Sequence, residues 1–287
     1  MKRGDWILLI FALLVILWLL FSGVADAQSG AAFLPLVAHG GVQYGTAGEP
    51  RTGQDMADFG RTCQNWSPYQ PDIDCDFVPL VETWYLNHEY DDSGYLIVLN
   101  EPDLLSQNGG AFGTDPALWP CAAADFTATV RAMYPHATLI GPNVSAWGVE
   151  FLHDFAACGG MEHIDIVGVH YYAWDADWQS MLTRVLDAAF SYGRPVWLTE
   201  YGVTIGNGGV TAANYADVHQ TVNAEIEQRG VDVALWFAPH GWSGGNTPAV
   251  NTYQALALYG RDGERRVTLA GCIQSQFSAD GCEAIAP

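Results

Sequence analysis

Continuous apolar runs recur along this chain and alternate with amphipathic stretches of helical period. Tyr95-Leu96-Ile97-Val98-Leu99 and Val233-Ala234-Leu235-Trp236-Phe237 carry no polar alternation, so they suit strands buried on both faces, as in a parallel sheet. Eight strand candidates, several of them runs of this kind, are read at 41–44, 61–66, 76–81, 95–100, 138–142, 164–172, 195–201 and 231–238. Helical patterns lie between them, clearest at 120–133, 178–192 and 212–229. The first opens on Pro120, tolerated at the start of a helix. In the last, Ala213, Ala216, Val222 and Ile226 share one face, while Gly230 follows where a left-handed cap is wanted. Strand–helix alternation predicts an α/β chain, and eight strands over this length match a single (β/α)8 TIM barrel. A doubly wound open sheet is the alternative. Its nucleotide-binding form is disfavoured, since no glycine fingerprint follows an early strand.

The N-terminus reads differently. Lys2 and Arg3 precede an uncharged run from Trp6 to Phe21, and Ala25-Asp26-Ala27 supplies small residues before Gln28. Residues 1–27 are therefore expected to be a secretory signal peptide, with an uncleaved membrane anchor as the alternative. A short segment without periodicity, 28–38, leads into one domain at 39–287. The expected location is extracellular, or membrane-anchored if the segment stays on.

Charge excludes several function classes. The chain has 32 acidic against 11 basic residues, a formal net charge of −21. Nucleic acid and anionic lipid are thus not expected partners, and no membrane partner is expected unless the N-terminal segment is uncleaved. Lys2 is the only lysine, so the processed chain has none for a Schiff base or a phosphate-binding loop. The six cysteines are Cys63, Cys75, Cys121, Cys158, Cys272 and Cys282. In an exported chain these read as disulfides. Short spacing favours Cys63–Cys75 and Cys272–Cys282, leaving Cys121–Cys158. No zinc-type cysteine or histidine spacing and no EF-hand spacing is present.

Function in a barrel collects where the strands end. The fourth strand ends in Asn100-Glu101-Pro102-Asp103, the sixth in His170-Tyr171-Tyr172, and the seventh in Thr199-Glu200-Tyr201. Either glutamate alone could cap the following helix or pair with an arginine. Arginine is scarce, however, and two unpaired carboxylates at one mouth are costly unless the site uses them. A carboxyl pair suits glycoside hydrolysis, in which one group protonates the leaving oxygen and the other attacks the anomeric carbon. Trp66, Trp84, Trp174, Trp236 and Trp242 fall at or near predicted strand ends, where their faces could stack on sugar rings. Core packing is the alternative for each.

Asn100-Glu101-Pro102 and Thr199-Glu200-Tyr201, in this order, resemble clan A of the glycoside hydrolases. The chain most resembles glycoside hydrolase family 128, the alkali-sensitive-linkage-protein-like catalytic domain. Asn65-Trp66-Ser67-Pro68, Phe77-Val78-Pro79-Leu80, His170-Tyr171-Tyr172 and Leu258-Tyr259-Gly260-Arg261-Asp262-Gly263 extend the likeness over 61–271. The resemblance implies a retaining enzyme acting on β-1,3-glucan. Glu101 would be acid/base and Glu200 the nucleophile. Asn100 would bind the sugar 2-hydroxyl, Tyr172 would orient Glu200, and Trp236 would floor the sugar site, with His170 in support. Trp66, Trp174 and Trp242 are further candidate sugar contacts. No metal or organic cofactor is implied, and the partner is a polysaccharide or oligosaccharide met by a monomer. Arg61-Thr62-Cys63-Gln64 and Val81-Glu82-Thr83-Trp84 depart from the family pattern beside the expected groove, admitting another β-linkage or a substituted glycan. The rival expectations are a carbohydrate-binding barrel without catalysis, a transglycosylase using the same glutamates, and a metal-dependent hydrolase.

Overall fold

A computed structural model describes residues 38–39, 42–47, 62–69, 75–108, 111–204, 209–211 and 213–237. The N-terminal 1–27 segment, Trp242, the Cys272–Cys282 pair and the 258–263 motif lie outside the described residues.

Eight parallel strands form one sheet: β1 (Val42–Ala47), β2 (Thr62–Gln64), β3 (Asp76–Phe77, resuming at Leu80–Val81), β4 (Tyr95–Val98), β5 (Thr138–Val144), β6 (Ile166–Ala173), β7 (Val196–Val203) and β8 (Val233–Phe237). Each pairs with its sequence neighbour, and β8 returns to β1. The ring closes through β3. Its first half pairs with β2 and its second with β4, and the linking stretch bonds both ways, Val78 N–H to Cys63 O and Ile97 N–H to Pro79 O. This is the predicted (β/α)8 barrel, with all eight strands near their expected positions. Strands β7 and β8 are buried at every residue, which explains why their sequences show no alternation. A two-residue strand, Ala38–His39, adds antiparallel to β1.

Five α-helices are described: α1 (Leu105–Asn108), α2 (Trp119–Met133), α3 (Val149–Ala157), α4 (Trp178–Phe190) and α5 (Tyr215–Arg229). The three predicted helices correspond to α2, α4 and α5. Gly230 takes the left-handed conformation that ends α5, at φ 75°. Helix α3 escapes the sequence reading because it is short and has no side-chain cap. Its Val149, Leu152 and Phe155 nevertheless pack into the core. The Cys121–Cys158 disulfide fastens α2 to the end of α3, and Cys63–Cys75 links β2 to the entry of β3. Both are expected pairs, Cys63–Cys75 from its short spacing and Cys121–Cys158 as the pair left over. No helix among the described residues is long and apolar enough to cross a membrane.

Candidate active site

The carboxyl ends of the barrel strands converge on one mouth. Four non-glycine residues have left-handed backbone in the described structure, Trp66, Leu99, Glu101 and Asn143, with φ between 44° and 69°. All four sit where β2, β4 and β5 end. Such conformations are costly for ordinary residues and gather at functional sites. Leu99 and Glu101 turn the chain twice as it leaves β4, carrying the Glu101 carboxylate over the barrel.

Glu101 and Glu200 meet there with His170 between them. His170 Nδ1 lies 3.1 Å from Glu101 Oε1 and 3.5 Å from Glu200 Oε2. One atom from each of the three residues can be chosen so that all lie within 4.8 Å of one another. Glu200 is held from two further directions: the Tyr172 hydroxyl donates to Oε2 at 2.7 Å, and Trp66 Nε1–H donates to Oε1. Phe237 closes the Glu200 side edge-on, its ring centroid 5.4 Å from Trp66 and 5.6 Å from Tyr172.

Burial sets the electrostatics. It pushes the Glu200 carboxyl above its ordinary value; the His170 charge opposes this, Glu101 adds to it, and the Trp66 and Tyr172 donors pull it back. Burial pulls His170 down, but Glu200 and the hydrogen bond with Glu101 outweigh it and hold the imidazole above its ordinary value. Asp103 is raised by burial against two hydrogen bonds from Ser145. At the end of β3, burial raises Glu82 to about 7, against a hydrogen bond with Trp84.

The three-residue cluster is the one group among the described residues whose atoms could converge on a cation. Its hydrogen bonds already account for the arrangement, because the imidazole serves Glu101 while tyrosine and tryptophan serve both oxygens of Glu200. Two carboxyl groups facing each other at this range, with donors fixing one, can perform acid/base and nucleophilic work on a bond placed between them.

The other predicted residues divide. Asn100 is half-buried between Leu99 and Glu101 at the mouth. Trp174, just past β6, packs edge-on against Trp147, centroids 5.7 Å apart. Trp236 does not floor the site. It is fully buried, stacked on His219 of α5 at 4.5 Å and edge-on to Tyr201. Side chains alternate along a strand, so Trp236 faces the helical shell, and the neighbouring Phe237 faces the site.

Several contributors lacked a sequence signal. Gln64 accepts Trp66 N–H at 3.1 Å and donates to Thr199 O at 3.4 Å. Asp103 accepts from Ser145 N–H and hydroxyl, which carries the loop bearing Trp147. Asp103 was visible in the Glu101-Pro102-Asp103 string, but its partner comes from the next strand. Trp147 is 50% exposed and Trp84 57%, and exposure of a tryptophan is not readable from spacing.

Comparison with known proteins places this geometry. No functionally curated protein sequence matches the chain. Among solved structures, an endo-β-1,3-glucanase of glycoside hydrolase family 128, subgroup I, from Amycolatopsis mediterranei, in complex with laminaritriose, superposes with a TM-score of 0.56 at 22% identity, covering 82% of this chain and 98% of that one. A subgroup VI exo-β-1,3-glucanase from Aureobasidium namibiae gives 0.56 at 14% identity over 78% and 93%. A subgroup VII oligosaccharide-binding protein from Cryptococcus neoformans gives 0.56 at 16% identity over 83% and 94%. These likenesses establish a shared fold. The sequence itself matches the family described as glycosyl hydrolase catalytic core over residues 65–262. That span takes in β3 to β8 and both glutamates at the mouth, and the chain accordingly belongs to the glycosyl hydrolase catalytic core family.

Proposed function

We propose that the protein is an exported, retaining β-glucan hydrolase of the family 128 type, acting on β-1,3-linked chains. The observation that carries this reading is the Glu101–His170–Glu200 cluster, in which one nitrogen or carboxylate oxygen from each residue lies within 4.8 Å of the other two. Retaining glycosidases hold their carboxyl groups about 5–5.5 Å apart, too close for a water between them and the sugar. Glu200 attacks the anomeric carbon as Glu101 gives its proton to the departing glycosidic oxygen, leaving a glycosyl-enzyme ester. Glu101 then takes a proton from water, whose oxygen displaces Glu200. Tyr172, Trp66 and His170 all favour the ionised nucleophile, against its burial.

Substrate class is supported by the β-1,3-glucanase activity of matched structures and by the aromatic mouth. Tyr69, Trp84, Leu105 and Trp147 are exposed on the connections after β2, β3, β4 and β5. Large apolar side chains left open along one rim suit a long glycan lying across the mouth, which favours endo action. Export is supported by the 1–27 pattern and by two disulfides, at home in an oxidising compartment.

The test is reducing-sugar release from soluble β-1,3-glucan by wild type and Glu200→Gln, with the product anomer followed by NMR. Release of the β-anomer first, abolished in the folded variant, is expected. Equal activity in both proteins, or α-anomer first, overturns the mechanism. Binding of glucan oligosaccharides without cleavage by wild type would instead give the oligosaccharide-binding role known for one of the matched folds. Mass analysis of the exported chain should find Gln28 at its N-terminus.

A further inference from the structure

Two irregularities in the barrel meet each other. Along β5 and β6, Pro142 faces Gly168 and Val144 faces Val169, so Asn143 is an extra, bulged residue. Along β6 and β7, Val169 faces Leu198 and His170 faces Glu200, so Thr199 is a second bulge. Bulges re-aim side chains beside active sites. Here the bulges are joined: the Thr199 hydroxyl donates to Asn143 Oδ1 at 2.8 Å, across β6. The strand between leaves room because residue 168 is glycine. A Cβ there would lie 1.9 Å from Asn143 Oδ1.

Each end of this link is attached to a glutamate. Asn143 O accepts Glu101 N–H at 3.0 Å. Asn143 Nδ2 donates to Val98 O, Leu99 O and Ile140 O at 2.9–3.1 Å, fixing the left-handed exit of β4 that carries Glu101. Thr199 immediately precedes Glu200. Asn143 is wholly buried and its polar side chain is spent on these contacts, so it touches no substrate.

We infer that Asn143 and Thr199, linked over Gly168, are positioning residues that set the Glu101–Glu200 separation. The inference rests on the hydrolase reading above. A nucleophile and a proton donor act on one bond at once, and a misplacement of about 1 Å can cost up to ~100-fold in rate.

Thr199→Val removes the hydroxyl at nearly constant shape, and Thr199→Ser keeps it. With β-1,3-glucan, Thr199→Val should lower kcat by roughly 10-fold or more with KM changed little, and Thr199→Ser should recover most of it. Gly168→Ala attacks the same link from the other side. The double variant Gly168→Ala/Thr199→Val should be no worse in kcat than the poorer single, because both break one link. If Gly168→Ala fails to fold, the Val and Ser variants still decide. Wild-type kcat in Thr199→Val below its melting temperature, or equal losses in Val and Ser, overturns the inference.

A substrate-free measurement separates this inference from the function it rests on. His170 touches both glutamates, so its NMR titration midpoint should move in Thr199→Val and return in Thr199→Ser. An unmoved midpoint overturns the link. Wild type inactive on every β-glucan topples the hydrolase reading, and the titration still judges the link.

Discussion

Tyr172→Phe isolates one hydrogen bond at Glu200, the proposed nucleophile. The hydroxyl donates to Glu200 Oε2 at 2.7 Å, while the ring packs edge-on against Phe237 at 5.6 Å, and phenylalanine keeps that packing. A hydrogen bond to a charged group contributes about 1.5–3 kcal/mol. The ionised form of Glu200 receives this bond, so losing it favours the protonated form, in the same direction as burial. The nucleophile must be ionised to attack. The acidic limb of kcat/KM should therefore move to higher pH. Well below that limb, activity follows the ionised fraction, and at 1.36 kcal/mol per tenfold the variant should lose roughly 10- to 150-fold relative to wild type. On the alkaline side of the limb the two should differ far less. The assay is kcat/KM against pH on a β-1,3-glucan oligosaccharide, with thermal midpoints measured in parallel. A uniform loss with an unshifted limb would refute the argument, because the hydroxyl would then be aiming Glu200 and not supporting its charge.

Other perturbations separate the remaining roles. Glu101→Ala should lose about 10²- to 10⁴-fold on glucan, yet form the glycosyl-enzyme from an aryl glycoside whose phenolate leaves unprotonated; equal losses on both substrates would remove the acid role. Trp147→Ala should raise KM for long oligosaccharides about 3- to 10-fold, from loss of a stacking contact comparable to an aromatic pair, with kcat little changed; unchanged KM would place the glycan elsewhere. Glu82 has a folded pKa raised from 4.5 to about 7, so its contribution to stability is present at low pH and lost as pH rises through that window. Glu82→Gln should therefore stabilise the protein at pH 8 by on the order of 1–3 kcal/mol and leave it unchanged at pH 4, read from urea midpoints.

The barrel was legible because its strands are buried on both faces, which leaves uninterrupted apolar runs, and because the helices between them carry a separate period. Boundaries were less so: β5 runs on through Val144 and β7 through Val203, since bulges lengthen each strand without changing its composition. The two glutamates were legible as polar residues closing apolar strands. The Trp236 placement was not, because two aromatics stand side by side on β8 and only register decides which one looks inward. Asn143 and Trp147 were hidden for opposite reasons. The role of the first depends on a left-handed backbone and on a glycine 25 residues later in sequence; that of the second depends on a loop propped by Asp103 from the preceding strand.

The same barrel serves glucanases and oligosaccharide-binding proteins among the matched structures, so fold carries no weight in choosing between them. The mouth does. Four non-glycine residues there hold left-handed backbone, at about 1–2 kcal/mol each, and three of them (Leu99, Glu101 and Asn143) belong to the β4 exit or the residue that fixes it. Two carboxyl groups, Glu200 buried and Glu101 largely so, lie within reach of one imidazole, against the cost of desolvating charge. A site that only stacked and hydrogen-bonded a glycan would gain nothing from charge on that pair, since uncharged amides could fill both positions at a smaller desolvation cost. Holding Glu101 opposite Glu200 against these costs is what chemistry between them requires, and it supports the catalytic reading proposed above.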